Sequence, residues 1–216
     1  MKEWKKILLM GCLLVGVFSI WTLLILTVDV QSWGQNGTNI GFATFNVWFH
    51  EFTGTHMWIY IVTDWLGLVP VFVCMGFGGL GLIQWGKRKS ILRVDGDIII
   101  LGVYYVIVIA VYLVFEMIPI NYRPILIEGI MEVSYPSSTT LLVLCVMPTL
   151  IEQSNRRVKS ICARNIIKVV SIIFSVFMVV GRLFSGVHWL TDIVGGVLLS
   201  AGLFLIYKAC IMLNKK

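Results

Sequence analysis

Six apolar stretches, separated by more polar segments, constrain the fold of this chain more than any other feature of its sequence. A helix that crosses the hydrocarbon core of a bilayer needs about 20 mostly apolar residues. The first stretch contains no charged side chain, and we predict a retained span there, because a cleaved signal peptide has a shorter apolar core. The predicted spans are residues 7–28, 58–85, 98–118, 137–151, 166–180 and 189–207.

The composition supports a membrane protein. Of the 216 residues, 58% are apolar and 13% are charged, whereas a soluble domain has about half apolar and roughly a quarter charged residues. This excludes an ordinary globular enzyme, a disordered chain and a collagenous one. Neither an internal repeat nor a long polar linker divides the sequence. We therefore predict an all-α fold, a polytopic membrane bundle of six transmembrane helices, in a single domain over residues 1–216.

The positive charges predict the orientation. Fifteen of the 17 Lys and Arg residues lie at the two termini, between the second and third spans, or between the fourth and fifth spans and in the first turn of the fifth. Cytoplasmic loops are enriched in these residues, so we predict that both termini are cytoplasmic. The net charge of +6 then reports topology, and nucleic acid is not expected as a partner. The fifteen are at positions 2, 5, 6, 87, 88, 89, 93, 156, 157, 159, 164, 168, 208, 215 and 216.

The cysteine and histidine spacings do not indicate a metal site. The five cysteines include no CxxC pair and no Cys/His ligand pattern, so neither a disulfide framework nor zinc is expected. His50 and His56 lie in the predicted outer loop without a third ligand at a fixed spacing. We expect no cofactor and no metal.

The two remaining arginines, Arg123 and Arg182, belong to the opposite, outer face, and each has reactive neighbours. Arg182 is followed by His188 and Asp192, which are four residues apart. If residues 187–207 are helical, these two share a face, and the carboxylate can accept the imidazole Nδ1–H and leave Nε2 free. With an arginine to hold an anion, this predicts phosphoryl transfer with histidine as nucleophile. The alternative is an interfacial histidine, a helix-capping aspartate and a lipid-facing arginine.

A second polar group opens the fourth predicted span. Arg123 and Pro124 follow the third span, and the sequence Tyr-Pro-Ser-Ser-Thr-Thr occupies residues 135–140. Hydroxyls and free backbone N–H groups at a helix N-terminus form an anion site. The alternative is a capped membrane helix whose Ser and Thr satisfy their own backbone. Asp64, inside the second predicted span, is a further functional candidate, unless it lies near the outer end and caps the helix locally.

Together these segments resemble the type 2 phosphatidic acid phosphatase family, membrane relatives of the vanadium haloperoxidases. The family motifs are Lys-x6-Arg-Pro, Pro-Ser-Gly-His and Ser-Arg-x5-His-x3-Asp. The third motif is present here with Gly181 in place of its serine. In the first, Glu116 occupies the lysine position. In the second, Ser138 replaces glycine and Thr139 replaces histidine.

The resemblance implies a helical bundle with its site near the outer interface. His188 would attack phosphorus, Asp192 would orient it, and the phosphate would be held at Arg123, Arg182, Ser137, Ser138 and Thr139. The Thr139 hydroxyl is too weakly acidic to replace the family histidine as proton donor. The carboxyl groups that are candidates for that role are Glu116, Glu128 and Glu132; the alternative for the last two is that they are solvated loop carboxylates.

The function implied by the resemblance is a lipid phosphate or diphosphate phosphatase that acts at the outer face of a bacterial plasma membrane through a phosphohistidine. Its partners would be membrane lipids and a lipid phosphate or diphosphate. A missing proton donor favours a diphosphate such as undecaprenyl diphosphate over phosphatidic acid, because the leaving phosphate has a second pKa of about 6. The alternative is an impaired relative that binds, senses or transports lipid phosphates.

Overall fold

The computed structural model describes residues 2–214, so Lys215 and Lys216, two of the cations used for the topology prediction, lie outside it. Over these residues the secondary structure consists of eight α-helices, two short 3₁₀ helices and isolated β-bridges. The α-helices are α1 (Glu3–Thr27), α2 (Ala43–Thr53), α3 (Met57–Leu66), α4 (Leu68–Arg88), α5 (Gly96–Met117), α6 (Ser138–Arg157), α7 (Ile161–Phe184) and α8 (Leu190–Leu213). The predicted all-α membrane bundle is confirmed.

Five runs are long and apolar enough to cross a membrane in the described chain: α1, α3 together with α4, α5, α7 and α8. The fourth predicted span corresponds to α6, a helix of 20 residues that is too polar for this group. The reason is that α6 packs against α7 and α8, so protein surrounds much of it. Its buried Thr149 and Gln153 are hydrogen-bonded to Tyr105 and Tyr207, which a lipid-facing position would not allow.

Close packing between α1 and α8 is made possible by glycine. A Cβ atom on Gly202 would lie 2.8 Å from Val15 and 3.1 Å from the Gly11 carbonyl oxygen. Small residues of this kind let membrane helices approach one another closely. The same interface buries Phe18, which packs on Phe115 and stacks on Tyr135 at 5.6 and 6.1 Å between ring centroids. The segment that precedes α6 is thereby packed against α1.

Tyr135 is also held by polar and steric contacts. Its hydroxyl is hydrogen-bonded to the hydroxyl of Thr22 on α1 at 2.7 Å. Its ring packs on Gly195 of α8, where a Cβ would come within 2.5 Å. These contacts bring the start of α6 close to the start of α8, and with it the two polar segments that the sequence singles out.

The two ends of the bundle differ in chemistry. At one end the basic loops are held by ion pairs, with Arg157 2.7 Å from Asp97 and 3.2 Å from Asp95. At the other end the loops between α1 and α2, α5 and α6, and α7 and α8 contact one another. Gln35 donates to the Pro124 carbonyl at 2.8 Å, and the Trp189 indole donates to the Tyr122 carbonyl at 2.8 Å. The loops predicted to be external therefore share one end of the bundle; the orientation in the membrane stays a prediction.

Candidate active site

His188 lies in the short loop between α7 and α8. Gly186 turns the chain there with a φ of +72°, and a Cβ on it would lie 2.3 Å from the Gly54 carbonyl oxygen. Since α8 begins at Leu190, His188 precedes the helix, and the condition under which the sequence places His188 and Asp192 on one helical face is not met. His188 and Asp192 still come together, because the Asp192 carboxylate accepts the backbone N–H of Trp189, the residue next to His188.

The imidazole of His188 is buried, with 4% of the residue exposed. Its Nδ1 is 3.1 Å from the Ser134 carbonyl oxygen, which accepts a hydrogen bond only if Nδ1 carries the proton. Nε2 is buried and has no hydrogen-bond partner among residues 2–214. Burial lowers the pKa of His188 from its ordinary 6.5 to about 4, and the charges of Arg123 and Arg182 act in the same direction. The ring is therefore a neutral imidazole with a free Nε2 lone pair.

Asp192 is fully buried and anchors the loop that carries His188. One carboxylate oxygen accepts the Trp189 backbone N–H at 2.9 Å, and the other accepts from the Asn121 side chain at 3.1 Å. The closest approach to the imidazole is 3.8 Å, between Oδ2 and Nδ1. The Ser134 carbonyl thus makes the hydrogen bond that the sequence assigned to Asp192, and Asp192 contributes its charge and the loop geometry.

Arg182, near the end of α7, is 1% exposed and makes a network of contacts. Its Nη2 atom donates to the Thr139 hydroxyl at 2.6 Å and to the Asp64 carboxylate at 3.1 Å, and its Nη1 atom lies 3.4 Å from the Thr63 hydroxyl. Nε has no partner in the described chain. The guanidinium is therefore fixed in place and keeps a donor for a ligand.

Arg123 is 8% exposed and approaches the same region from the loop between α5 and α6. Its Nε is 2.9 Å from a carboxylate oxygen of Glu132 but is not aligned for a hydrogen bond, and Nη1 finds no acceptor within the described residues. Its guanidinium carbon lies 5.6 Å from the centroid of the Tyr60 ring, and that of Arg182 lies 5.0 Å from the same centroid. The two arginines thus converge on one aromatic ring.

The Ser-Ser-Thr-Thr sequence forms the start of α6, as the sequence predicts. The Ser137 backbone N–H donates to the Asp192 carbonyl at 3.2 Å, which joins this segment to α8. The Ser137 hydroxyl is buried and unpaired within residues 2–214. Ser138 is the first residue of the helix and is partly exposed, and Thr139 is bonded to Arg182. The free N–H groups of a helix N-terminus favour an anion at this position.

The three candidate proton donors occupy different places. Glu116 is exposed at the end of α5 and lines a small crevice with Ser134 and Ser138. Glu128 is exposed at the tip of a loop, and Glu132 pairs with Arg123. Within the described residues Arg123 forms its ion pair with Glu132 and Arg182 forms its ion pair with Asp64, so Glu116 pairs with neither arginine.

Several contributors were missed by the sequence reasoning. Ser134 acts through its backbone carbonyl, for which a sequence carries no signal. Asn121 contributes its side-chain amide from the loop before Arg123, where a single asparagine gives no distinctive sequence signal. Tyr60 and Thr63 precede Asp64 by four and one residues, and that helical spacing beside an ionisable residue is a signal that could have found Tyr60.

The arrangement can bind an anion and attack it. A neutral imidazole nitrogen, two guanidinium groups, a hydroxyl and a helix N-terminus form one region. Beside it, a cavity of about 560 Å³ between α4, α5 and α6 is lined by apolar side chains and by Asp64, Ser138 and Thr139. In the part of the chain that the structure describes, His, Cys, Asp and Glu side chains form no cluster of three or more that could hold a metal ion.

Comparisons with known proteins agree with the motifs. The sequence pattern of the PAP2 superfamily matches residues 116–216. The crystal structure of a transmembrane PAP2-type phosphatidylglycerolphosphate phosphatase from Bacillus subtilis is similar over 95% of this chain and 96% of its own, with a TM-score of 0.66 and 16% sequence identity. A search of curated proteins gives no significant match. The family resemblance expected from the sequence is confirmed, and the bundle has the fold of that phosphatase.

Proposed function

We propose that this protein is a phosphatase of the PAP2 superfamily, which removes phosphate from a membrane lipid phosphate or diphosphate through a phosphohistidine at His188. The proposal rests on the hydrogen bonding of this imidazole. Its Nδ1–H is held by the Ser134 carbonyl, and its Nε2 is buried and unpaired within the described chain. A neutral nitrogen oriented in this way is the form in which histidine acts as a nucleophile.

In the proposed reaction the Nε2 lone pair attacks phosphorus while the bond from phosphorus to the leaving oxygen breaks and its electron pair departs with that oxygen. The resulting phosphohistidine carries a positive ring. The Asp192 carboxylate, 3.8 Å from Nδ1, stabilises that charge. A water oxygen then attacks phosphorus, the bond from phosphorus to Nε2 breaks and its electron pair returns to Nε2. The protons of the water leave with inorganic phosphate, and the neutral imidazole is regenerated.

Arg123, Arg182 and Ser137 are proposed to hold the phosphate oxygens. Each has a buried donor without a partner among the described residues, and a buried donor of this kind is costly unless something binds it. Because phosphoryl transfer is accelerated mainly by positioning and by neutralising oxygen charge, two buried guanidiniums suit this role.

A lipid diphosphate is the substrate that fits the residues best. Thr139 occupies the position of the family's proton-donating histidine. Its hydroxyl accepts from Arg182 and keeps its own hydrogen to donate to a leaving oxygen. Such a hydrogen bond suffices for a leaving phosphate, whereas a leaving alkoxide needs a proton, and general acid assistance is worth about 10²–10⁴-fold. The apolar cavity beside Ser138 and Thr139 suits a lipid chain.

The location follows from the predicted topology. With the basic loops cytoplasmic, the site would lie at the outer leaflet of a bacterial plasma membrane. A diphosphate carrier lipid such as undecaprenyl diphosphate would reach it there.

The test is phosphate release by the purified protein on a panel of lipid diphosphates and monoesters. We expect release from the wild type, faster with diphosphates, and none above background from His188→Ala. His56→Ala is a matched control, because this histidine is exposed and its ring bonds only to the Thr53 carbonyl. Equal release by wild type and His188→Ala would remove the enzyme assignment. A wild type that binds lipid phosphate without turnover would instead be a binding protein.

A further inference from the structure

One turn of α3 makes three contacts with the buried guanidinium of Arg182. The Tyr60 ring lies under it at 5.0 Å, the Thr63 hydroxyl is 3.4 Å from Nη1, and the Asp64 carboxylate accepts from Nη2 at 3.1 Å. These positions are i, i+3 and i+4, so they share one face of the helix. The residues matched by the superfamily pattern begin at position 116, and this turn lies outside them.

Tyr60 also contacts the second arginine, with its ring centroid 5.6 Å from the guanidinium carbon of Arg123. The face of an aromatic ring is negative and attracts a guanidinium, more strongly where water is excluded. Two guanidiniums repel each other, and the tyrosine ring offsets part of this repulsion. The ring thus adds to the contacts that hold each guanidinium, which for Arg182 are made by Thr139, Thr63 and Asp64 and for Arg123 by Glu132.

Asp64 differs from the other partners of Arg182 in its exposure. Its side chain is 57% exposed, whereas the Arg182 side chain is 2% exposed. The carboxylate is therefore free on one side, and it can turn away from the guanidinium when another anion takes its place on Nη2. The guanidinium cannot leave, and an unpaired buried charge is unfavourable.

We propose that the turn from Tyr60 to Asp64 is a further wall of the phosphate site, in which Tyr60 positions both arginines and Asp64 is a counter-ion that the phosphate displaces from Arg182. This inference rests on the proposed function. Asp64 neutralises Arg182 in the absence of ligand and competes with the phosphate for the same Nη2 donor.

The first test is the affinity of purified protein for inorganic phosphate, measured by calorimetry so that turnover is not required. Asp64→Asn removes the competing charge and keeps an oxygen that can accept from Arg182. We expect it to tighten phosphate binding by about 2- to 5-fold, the range set by a weak, partly exposed ion pair. A merely structural aspartate would lower the melting temperature without tightening binding. Unchanged or weaker binding by a folded Asp64→Asn would overturn the counter-ion role.

The second test separates the ring from the hydroxyl of Tyr60. We expect Tyr60→Leu to weaken phosphate binding by about 5- to 30-fold, whereas Tyr60→Phe, which keeps the ring, restores wild-type affinity. Trp65→Leu is the matched control, because that side chain is on the same helix and the residue is 71% exposed. Equal affinities of Tyr60→Leu and wild type would overturn the positioning role. If Tyr60→Leu does not fold, a loss of affinity in folded Tyr60→Phe would overturn it too.

Failure of the inference and failure of the proposed function give different results. A wild type that neither binds inorganic phosphate nor releases it from lipids would remove both. A wild type that does both, with Asp64→Asn no tighter, would remove the counter-ion role alone.

Discussion

The hydrogen bond from Arg182 to the Thr139 hydroxyl allows a quantitative prediction for Thr139→Val. Thr139→Val keeps the shape of the side chain but removes the oxygen that accepts from Arg182 at 2.6 Å. A hydrogen bond to a charged group contributes about 1.5–3 kcal/mol. Without it, we expect Arg182 to stabilise the transition state by that much less. This corresponds to a decrease of about 10- to 150-fold in kcat/KM.

The neighbouring Thr140 provides the control. Its hydroxyl is buried but has no partner within residues 2–214, so Thr140→Val makes the same chemical change without removing a hydrogen bond. We expect kcat/KM close to that of the wild type and equal or higher stability. The assay is phosphate release from a lipid diphosphate, with the melting temperature of each variant measured in the same detergent. Equal kcat/KM values for Thr139→Val and Thr140→Val would refute the reasoning.

Three further predictions concern the histidine, its neighbour and the topology. Burial lowers the pKa of His188 from an ordinary 6.5 to about 4, so between these pH values the unfolded chain binds more protons than the folded one. The wild type should therefore lose stability relative to His188→Ala as the pH falls from 6.5 to 4. Melting temperatures of the two proteins that change in parallel across this window would contradict the prediction. Asp192→Asn should lower both kcat and the melting temperature, because Asn121 and Trp189 donate to different oxygens of the carboxylate and the amide replaces one of these oxygens by an NH₂ group, which cannot accept. Full activity would exclude a role for the Asp192 charge. After the native cysteines are replaced, Asn36→Cys should react with an impermeant thiol reagent in intact cells and Leu92→Cys should not, and the reverse pattern would overturn the orientation.

Most of the fold could be predicted because apolar length is a strong signal. A run such as residues 7–28 has one stable solution in a bilayer, a helix that satisfies its own backbone. The exception is α6, whose polar residues are tolerated because α7 and α8 surround them. Hydropathy detects helices that face lipid, so the predicted span ends at residue 151, although the polar end of α6 continues to Arg157.

The candidate site could be predicted in part. Local spacing placed His188 near Asp192, and the motif order indicated that Arg123 and Ser137 belong to the same region. The sequence could not show that a backbone carbonyl, that of Ser134, holds the imidazole, because a carbonyl has no side-chain identity. It also could not join Tyr60 to arginines that are more than 60 residues away in the chain, since that contact depends on how α3 packs against α7.

The measurement that tests the central claim most directly is capture of the phosphorylated enzyme. Wild-type protein would be mixed with a lipid diphosphate labelled with ³²P in its terminal phosphate and quenched in alkali within milliseconds. Phosphohistidine is stable in alkali and labile in acid, which separates it from phosphoserine and phosphothreonine. We predict acid-labile label on the peptide that contains His188, and none on the same peptide from His188→Ala. Label on Ser137 or Thr139, or rapid turnover without any labelled protein, would contradict the assignment of His188 as nucleophile.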